Sequence, residues 1–226
     1  MLHTHAPENA EEIQLIQARY GAGNIEHLHA LGFTGPDVIL AHGVWVSLKE
    51  RKILRDTQTR IVHCPSANLK LASGIARVTD LIQDGVPVAL GADGAPCNNR
   101  LDGFTEMRTV AMLHKVRGGP TAIPAATALR MATLGGAVAL GLTDVGRIQE
   151  QYKADILLLD LNKPHVFPPT GDLISRIVYS AQSSDVHSLF VDGRRVVQAG
   201  NLLVADVAKI LTAAKRAATG LVNRVL

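Results

Sequence analysis

Cysteine and aromatic residues are scarce in this chain, and several familiar signatures are missing altogether. Only Cys64 and Cys97 occur, too few for a disulfide framework. No charged n-region followed by an apolar h-region opens the chain, so a reducing, cytoplasmic setting is expected and a bridge between the two thiols is not. No apolar run approaches the roughly 18 residues of a membrane span, which leads to the expectation of a soluble protein with no membrane partner. The formal net charge of +3 is spread along the whole length without a basic run, an argument against a nucleic-acid surface. No Gly-x-Gly-x-x-Gly follows a strand-like run, so a dinucleotide site is unsupported. Aromatics make up 4% of the residues against an apolar fraction of 47%. That leaves a core of Ala, Val, Leu and Ile, as expected where many helices cover a parallel sheet.

Strand-like and helix-like patterns alternate through the first two thirds of the 226 residues. Helical spacing covers Glu11 to Ala18, and Asn24 reads as the N-cap of a helix from Ile25 to Leu31 closed by Gly32. A strand ends in His42, a charged helix runs from Ser47 to Asp56, and a short strand covers Arg60 to His63. A helix from Gly74 to Asp84, stopped by Gly85, leads to a strand over Val86 to Ala92 and a long amphipathic helix over Leu101 to Val116. Such alternation favours a parallel sheet with right-handed crossovers, either doubly wound or part of a (β/α) barrel. From about Gly146 the texture changes. Ala154 to Asp160 reads as a strand, Leu173 to Ala181 as another, and Ser188 to Ala199 as a hairpin turning at Asp192-Gly193. Pro164, Pro168 and Pro169 mark a loop among them. An Ala-rich helix from Asp206 to Leu226 closes the chain. The expected division is a βα series over 1–145, a small β module over 146–205 and a helix over 206–226.

Asp93 follows the apolar run Val86 to Ala92 and opens a polar loop, as an acid at a strand's carboxyl end does. In parallel α/β architectures catalytic groups gather at that end, because strands hold side chains in place while loops vary. His5 and His42 end similar apolar stretches, and His, His and Asp at three strand ends suggest a metal site. Imidazole and carboxylate suit zinc or ferrous iron, which activates water for attack on an electrophilic carbon. His5 and Glu8 stand in His-x-x-Glu, which can set a ligand on the strand tip and a proton-shuttling carboxyl group above it. His3-x-His5 offers a competing pair on one strand face, and spacing leaves that choice open. Singly, His42 reads equally as a buried histidine and Asp93 as a turn cap. His63, in His63-Cys64-Pro65-Ser66-Ala67-Asn68, is a pocket-lining or packing residue. Cys64 and Cys97 lack a clear activating partner, which disfavours nucleophilic catalysis.

Four segments carry a specific resemblance: His5 to Asn9 (HAPEN), Leu40 to Val46 (LAHGVWV), His63 to Gly74 (HCPSANLKLASG) and Gly91 to Arg108 (GADGAPCNNRLDGFTEMR). The chain resembles the amidohydrolase superfamily, in the branch holding S-adenosylhomocysteine, 5'-methylthioadenosine and 5'-deoxyadenosine deaminases and the triazine chlorohydrolases. The resemblance implies the carboxyl-terminal half of a (β/α)8 metal-dependent hydrolase barrel, its strands five to eight within 1–145, with part of a small β-sandwich module. It implies His5 and Asp93 as ligands of one divalent ion, zinc before iron. Glu8 becomes the general acid/base, His42 the bonding partner of the attacking hydroxide, and Asp93 also the acceptor of the water's proton. Glu8, His63 and Asp93 would contact the substrate, and His3 receives no role. Gly43 stands where relatives often have cysteine.

By the same resemblance, a His-x-His pair on the first barrel strand is absent, as are the strands that would close the barrel. Two open sheet edges would make the isolated chain aggregation-prone, oligomeric or partly ordered. The expected activity is hydrolytic deamination of an adenine-type nucleoside or related purine, a small-molecule substrate, in a homo-oligomer or in a protein lacking its amino-terminal half. Triazine-type chlorohydrolase, guanine-type deaminase and a non-catalytic fragment or assembly partner are the alternatives. The other zinc deaminase pattern, His-x-Glu with Pro-Cys-x-x-Cys, is absent, which disfavours cytidine-deaminase-like chemistry.

Overall fold

A computed structural model of the chain describes residues 1–224. Four strands, β1 (Leu2–Ala6), β2 (Val38–His42), β3 (Arg60–His63) and β4 (Val88–Leu90), pair in parallel in chain order. The register sets His5 opposite Ala41, Ala6 opposite His42 and His63 opposite Leu90, so the carboxyl ends of the strands share one rim. Parallel neighbours need crossover connections, and helices supply them here. These are α1 (Ala10–Tyr20) and α2 (Asn24–Ala30), then α3 (Leu48–Thr57), then α4 (Pro65–Lys70) and α5 (Val78–Gln83). After β4 come α6 (Ala95–Asn98), α7 (Gly103–Leu113), α8 (Lys115–Gly118), α9 (Ala125–Ala132) and α10 (Leu134–Ala139).

A second sheet pairs β5 (Ile156–Leu159), β6 (Val186–Val191), β7 (Arg194–Gln198) and β8 (Asn201–Leu202) as an antiparallel meander. Asp192 and Gly193 both take positive φ, 49° and 77°, as the tight turn between β6 and β7 requires. Helix α11 (Leu173–Tyr179) lies between β5 and β6, and α12 (Val207–Val222) follows β8. The final two residues of the helix expected over Asp206 to Leu226 lie outside the described residues. Among the described residues, no helix is long and apolar enough to cross a membrane.

Local chemistry starts and stops these elements. The Asn9 side chain accepts from the Glu12 N–H at 2.8 Å to cap α1, and Gly21 at φ 67° ends it. Ser47 and Glu50 form a reciprocal capping box on α3. The other Glu50 oxygen accepts from the Ile25 N–H at 2.8 Å, so one buried carboxylate serves the starts of two helices. Asn24 is not the cap of α2. Gly23 takes that position, and the buried Asn24 amide donates to Glu12 instead. The helix expected from Gly74 begins only at Val78, because Ala72 and Gly74 have left-handed backbones, φ 55° and 125°. Leu101 to Val116 divides into α7 and α8, with Asp102 capping the first.

The expectation of a strand over Leu173 to Ala181 is overturned. Asp172 accepts the N–H groups of Ile174 and Ser175 and nucleates α11, whose Ile174, Val178 and Tyr179 join the apolar cluster of α7 and α9. Burial of one helical face outweighs the β propensity of Ile-Ser-Arg-Ile-Val-Tyr. A second cluster joins Ala6, Val38, Leu40 and Ile61 of the parallel sheet to Ile25, Leu54 and Leu81 of α2, α3 and α5.

Gly91, just past β4, lets the chain lie against the neighbouring strand. A Cβ there would sit 2.6 Å from Val62 Cγ1 and 3.4 Å from Cys64 Sγ, and a β-branched valine has little freedom to move aside. Gly91→Ala should therefore destabilise the fold by about 1–3 kcal/mol. A urea transition at the unsubstituted midpoint would show that the strand end is not closely packed.

Candidate metal centre

The parallel register brings the ends of β1 and β2 and the loop after β4 to one place. One ligand atom each from His5, His42 and Asp93 lies within 4.8 Å of the others. The His5 and His42 rings stack, with centroids 5.4 Å apart. His3 lies one step back along β1, its ring centroid 6.2 Å from that of His5, and contributes no donor to the group.

Strict alternation would send the His42 ring to the helix-facing side with Val38 and Leu40. The backbone at His42 instead turns left-handed, φ 75°, and delivers the ring to the rim beside His5. Asp93 is likewise left-handed, φ 63°, and its Oδ1 accepts from the Gly94 N–H at 2.6 Å. Such backbones in residues with a Cβ are uncommon and gather at functional sites.

Glu8 stands over the same rim. Its Oε1 accepts from the Ser73 hydroxyl at 2.9 Å, and its N–H donates to Glu12 Oε2 at 2.7 Å. Its Oε2 lies 3.7 Å from His42 Nε2, too far for a direct hydrogen bond. On its other side, His42 Nδ1 meets Asn68 Oδ1 at 2.8 Å. Two imidazoles and two carboxylates thus face one space, a donor set that fits a divalent cation.

His63 has a different environment. It is 0% exposed, and its ring is tilted against that of His114 at 5.6 Å, at the end of α7. Neither His63 nitrogen has a hydrogen-bond partner among the described residues. Expected to line the pocket, it has no surface from which to touch a substrate in this conformation, because its β3 face is covered by the helical layer. Burial above all, then neighbouring His114, pushes its pKa down to about 3, and burial followed by Arg117 pushes His114 down to about 4.

The thiols are poor nucleophiles. Burial first, then the Asp93 and Glu106 carboxylates, push Cys64 up to about 12, and Cys97 is raised in the same direction. Both cysteines are free.

Three further residues escaped sequence reasoning. Glu106 on α7 is 1% exposed, accepting from Asn98 Nδ2 at 2.9 Å and from the Ser66 N–H at 3.2 Å. It ties the loop carrying Asp93 to the start of α4. A carboxylate one turn before Val110, on the apolar stripe of an amphipathic helix, was its legible signal. Asn68 and Ser73 gave none, since an amide and a hydroxyl in a polar segment are commonplace.

The amidohydrolase family model matches residues 1–196. The chain belongs to the amidohydrolase family. Among curated amidohydrolases, it is 46% identical over 224 residues to a 5-methylthioadenosine/S-adenosylhomocysteine deaminase of Pelotomaculum thermopropionicum, covering 99% of this chain and 52% of that protein. It is 44% identical over 224 residues to a 5'-deoxyadenosine deaminase of Methanosarcina acetivorans, covering 99% and 51%. The solved structure of an adenosine deaminase from Xanthomonas campestris with bound zinc matches with a TM-score of 0.91 at 35% identity, over 95% of this chain and 49% of that one. The chain spans about half the length of the curated relatives it matches. Its four parallel βα units are half of the amidohydrolase (β/α)8 barrel.

The buried histidines give this half-barrel a defined acid sensitivity. Both are neutral when folded and take up a proton near pH 6.5 when unfolded, so their contribution is complete above 6.5 and is lost as pH falls toward the folded values of about 3 and 4. Each proton taken up costs about 1.4 kcal/mol per pH unit. The urea midpoint should fall between neutrality and mildly acidic pH, and less steeply in His114→Gln. Equal slopes in the two proteins would contradict the assignment.

Proposed function

We propose that this chain forms part of a metal-dependent aminohydrolase that replaces the exocyclic amine of an adenine-type nucleoside with oxygen and releases ammonia. The convergence of His5, His42 and Asp93 beside the Glu8 carboxylate carries this reading. His5 and Asp93 would hold one divalent ion. The donor types favour zinc, with ferrous iron second, and the zinc of the solved relative supports that order. A bound ion supplies Lewis acidity and brings the pKa of water toward neutrality.

The chain's own groups divide the proton traffic. Asp93 takes a proton from the attacking water as its oxygen adds to the ring carbon bearing the amine. His42, with Nε2 toward the same space, hydrogen-bonds that water. Glu8, anchored at Oε1 by Ser73, keeps Oε2 free to relay to the adjacent ring nitrogen the proton that Asp93 took, and then to carry the adduct's remaining hydroxyl proton to the departing amine as the carbonyl forms. Water enters, ammonia leaves, and no redox partner is involved. In this reading His63 supports the rim from behind by packing.

The likeness to deaminases of methylthioadenosine, S-adenosylhomocysteine and 5'-deoxyadenosine supports an adenosine-type substrate. Among the described residues, the sheet ends at β1 and β4, each with a single strand neighbour. The reading therefore includes a further polypeptide segment or a second copy of the chain completing the barrel.

Metal analysis with an ammonia-release assay on 5'-deoxyadenosine and S-adenosylhomocysteine tests the proposal. Stoichiometric metal and ammonia release are expected, from the chain alone or after adding the other barrel half. Asp93→Asn should abolish turnover, since an amide cannot accept the water's proton, and Glu8→Gln should lower it by about 10²–10⁴-fold. Near-normal turnover in Asp93→Asn would refute the assignment.

A further inference from the structure

An imidazole can coordinate a cation through only a nitrogen that carries no proton, and which nitrogen that is depends on the hydrogen bond made by the other. At His42 that bond goes to Asn68. The His42 ring is 1% exposed and Asn68 is 1% exposed, with Nδ1 and Oδ1 2.8 Å apart. The amide could in principle present either end. With Oδ1 toward the ring, Nδ1 carries the proton and donates, and Nε2 turns a lone pair toward Glu8 Oε2 and the donor group. With Nδ2 toward the ring, Nε2 would carry the proton and face a carboxylate that it should approach to hydrogen-bond distance. The observed separation of 3.7 Å instead suits two acceptors with a cation or a water between them.

The backbone holds Asn68 still for this task. It sits in α4, whose first residue is Pro65; its N–H donates to Cys64 at 3.0 Å, and its carbonyl accepts from the Ser73 N–H at 2.9 Å. Its own Nδ2 has no partner among the described residues. A buried amide left half-satisfied is costly, and its acceptor end nonetheless goes to the histidine.

We infer that Asn68 is a positioning residue that locks His42 in the Nδ1–H tautomer and keeps Nε2 free for a cation or for a water's proton. This deepens the proposed function and rests on it only for the identity of the cation. Second-partner bonds of this kind are general at metal-binding histidines; the assignment to Asn68 comes from the contact above.

Long-range proton–nitrogen correlation on the ¹⁵N-labelled full chain without metal, at alkaline pH, reads the tautomer directly. His42 should show a protonated Nδ1 and a bare Nε2, and Asn68→Asp should preserve that pattern. Asn68→Ala should shift it toward Nε2–H, with circular dichroism as the folding control. An Nε2–H ring in the unsubstituted chain would overturn the inference, as would an unchanged Nδ1–H tautomer in a folded Asn68→Ala. If Asn68→Ala does not fold, the tautomers of the unsubstituted chain and of Asn68→Asp decide. An Nε2–H tautomer in a chain that binds zinc and releases ammonia would sink this inference alone. Absence of both activities even with the other barrel half supplied, together with an Nδ1–H ring, would sink the functional reading alone.

Discussion

A left-handed backbone costs a residue with a Cβ roughly 1–2 kcal/mol, and this chain accepts that cost at His42 and at Asp93. Strand alternation explains why. Val38 and Leu40 must point to the helical layer to build the apolar cluster with α2, α3 and α5, which commits His42 to the same side unless the chain turns. The turn is held from both sides, with Gly43 N–H donating to Ala6 at 3.3 Å and Val44 N–H to Pro7 at 2.9 Å. The same two bonds tie the loop carrying Glu8 to the end of β2. Core packing and rim chemistry are thereby reconciled within a single residue.

Buried polar groups hold the surroundings of that rim, and each joins segments remote in the chain. Glu50 serves α3 and α2, Glu106 serves α4 and the loop after β4, and Asn68 serves α4 and β2. A carboxylate has capacity for several donors, and satisfying it with backbone N–H groups offsets the loss of water. His63 and His114 are the contrasting case, buried with nitrogens that have no partner among the described residues. They keep the site's foundation apolar in character only while uncharged, so the stability of the platform and its protonation are linked.

The fold gathers its metal-binding donor types at one end of the parallel sheet. Among the described residues, β1 and β4 each have one strand neighbour, and Leu2 on β1 is exposed. Helix α10 packs close to β4: a Cβ on Gly135 would come within 3.1 Å of the Val88 carbonyl oxygen. The rim itself is built wholly from residues of this chain, while the barrel to which the fold corresponds has twice as many strands.

The order of the parallel units, the strand-end position of His5, His42 and Asp93, the hairpin at Asp192-Gly193 and the family motifs were legible in the linear sequence, because they depend on local periodicity, turn chemistry and residue type. Sequence could not separate His3 from His5 by spacing, nor a strand from a helix at Leu173 to Tyr179, because both patterns satisfy local rules and only packing against α7 and α9 chooses. It could not say that His63 turns to the helices while His42 turns away from them, since backbone handedness at a strand end reflects the whole sheet. Nor could it pair Asn68 with His42 or Ser73 with Glu8, contacts between residues far apart along the chain. Residue chemistry determined which groups could hold a divalent cation or carry protons; tertiary packing alone decided which of them meet, because meeting depends on register and side-chain direction.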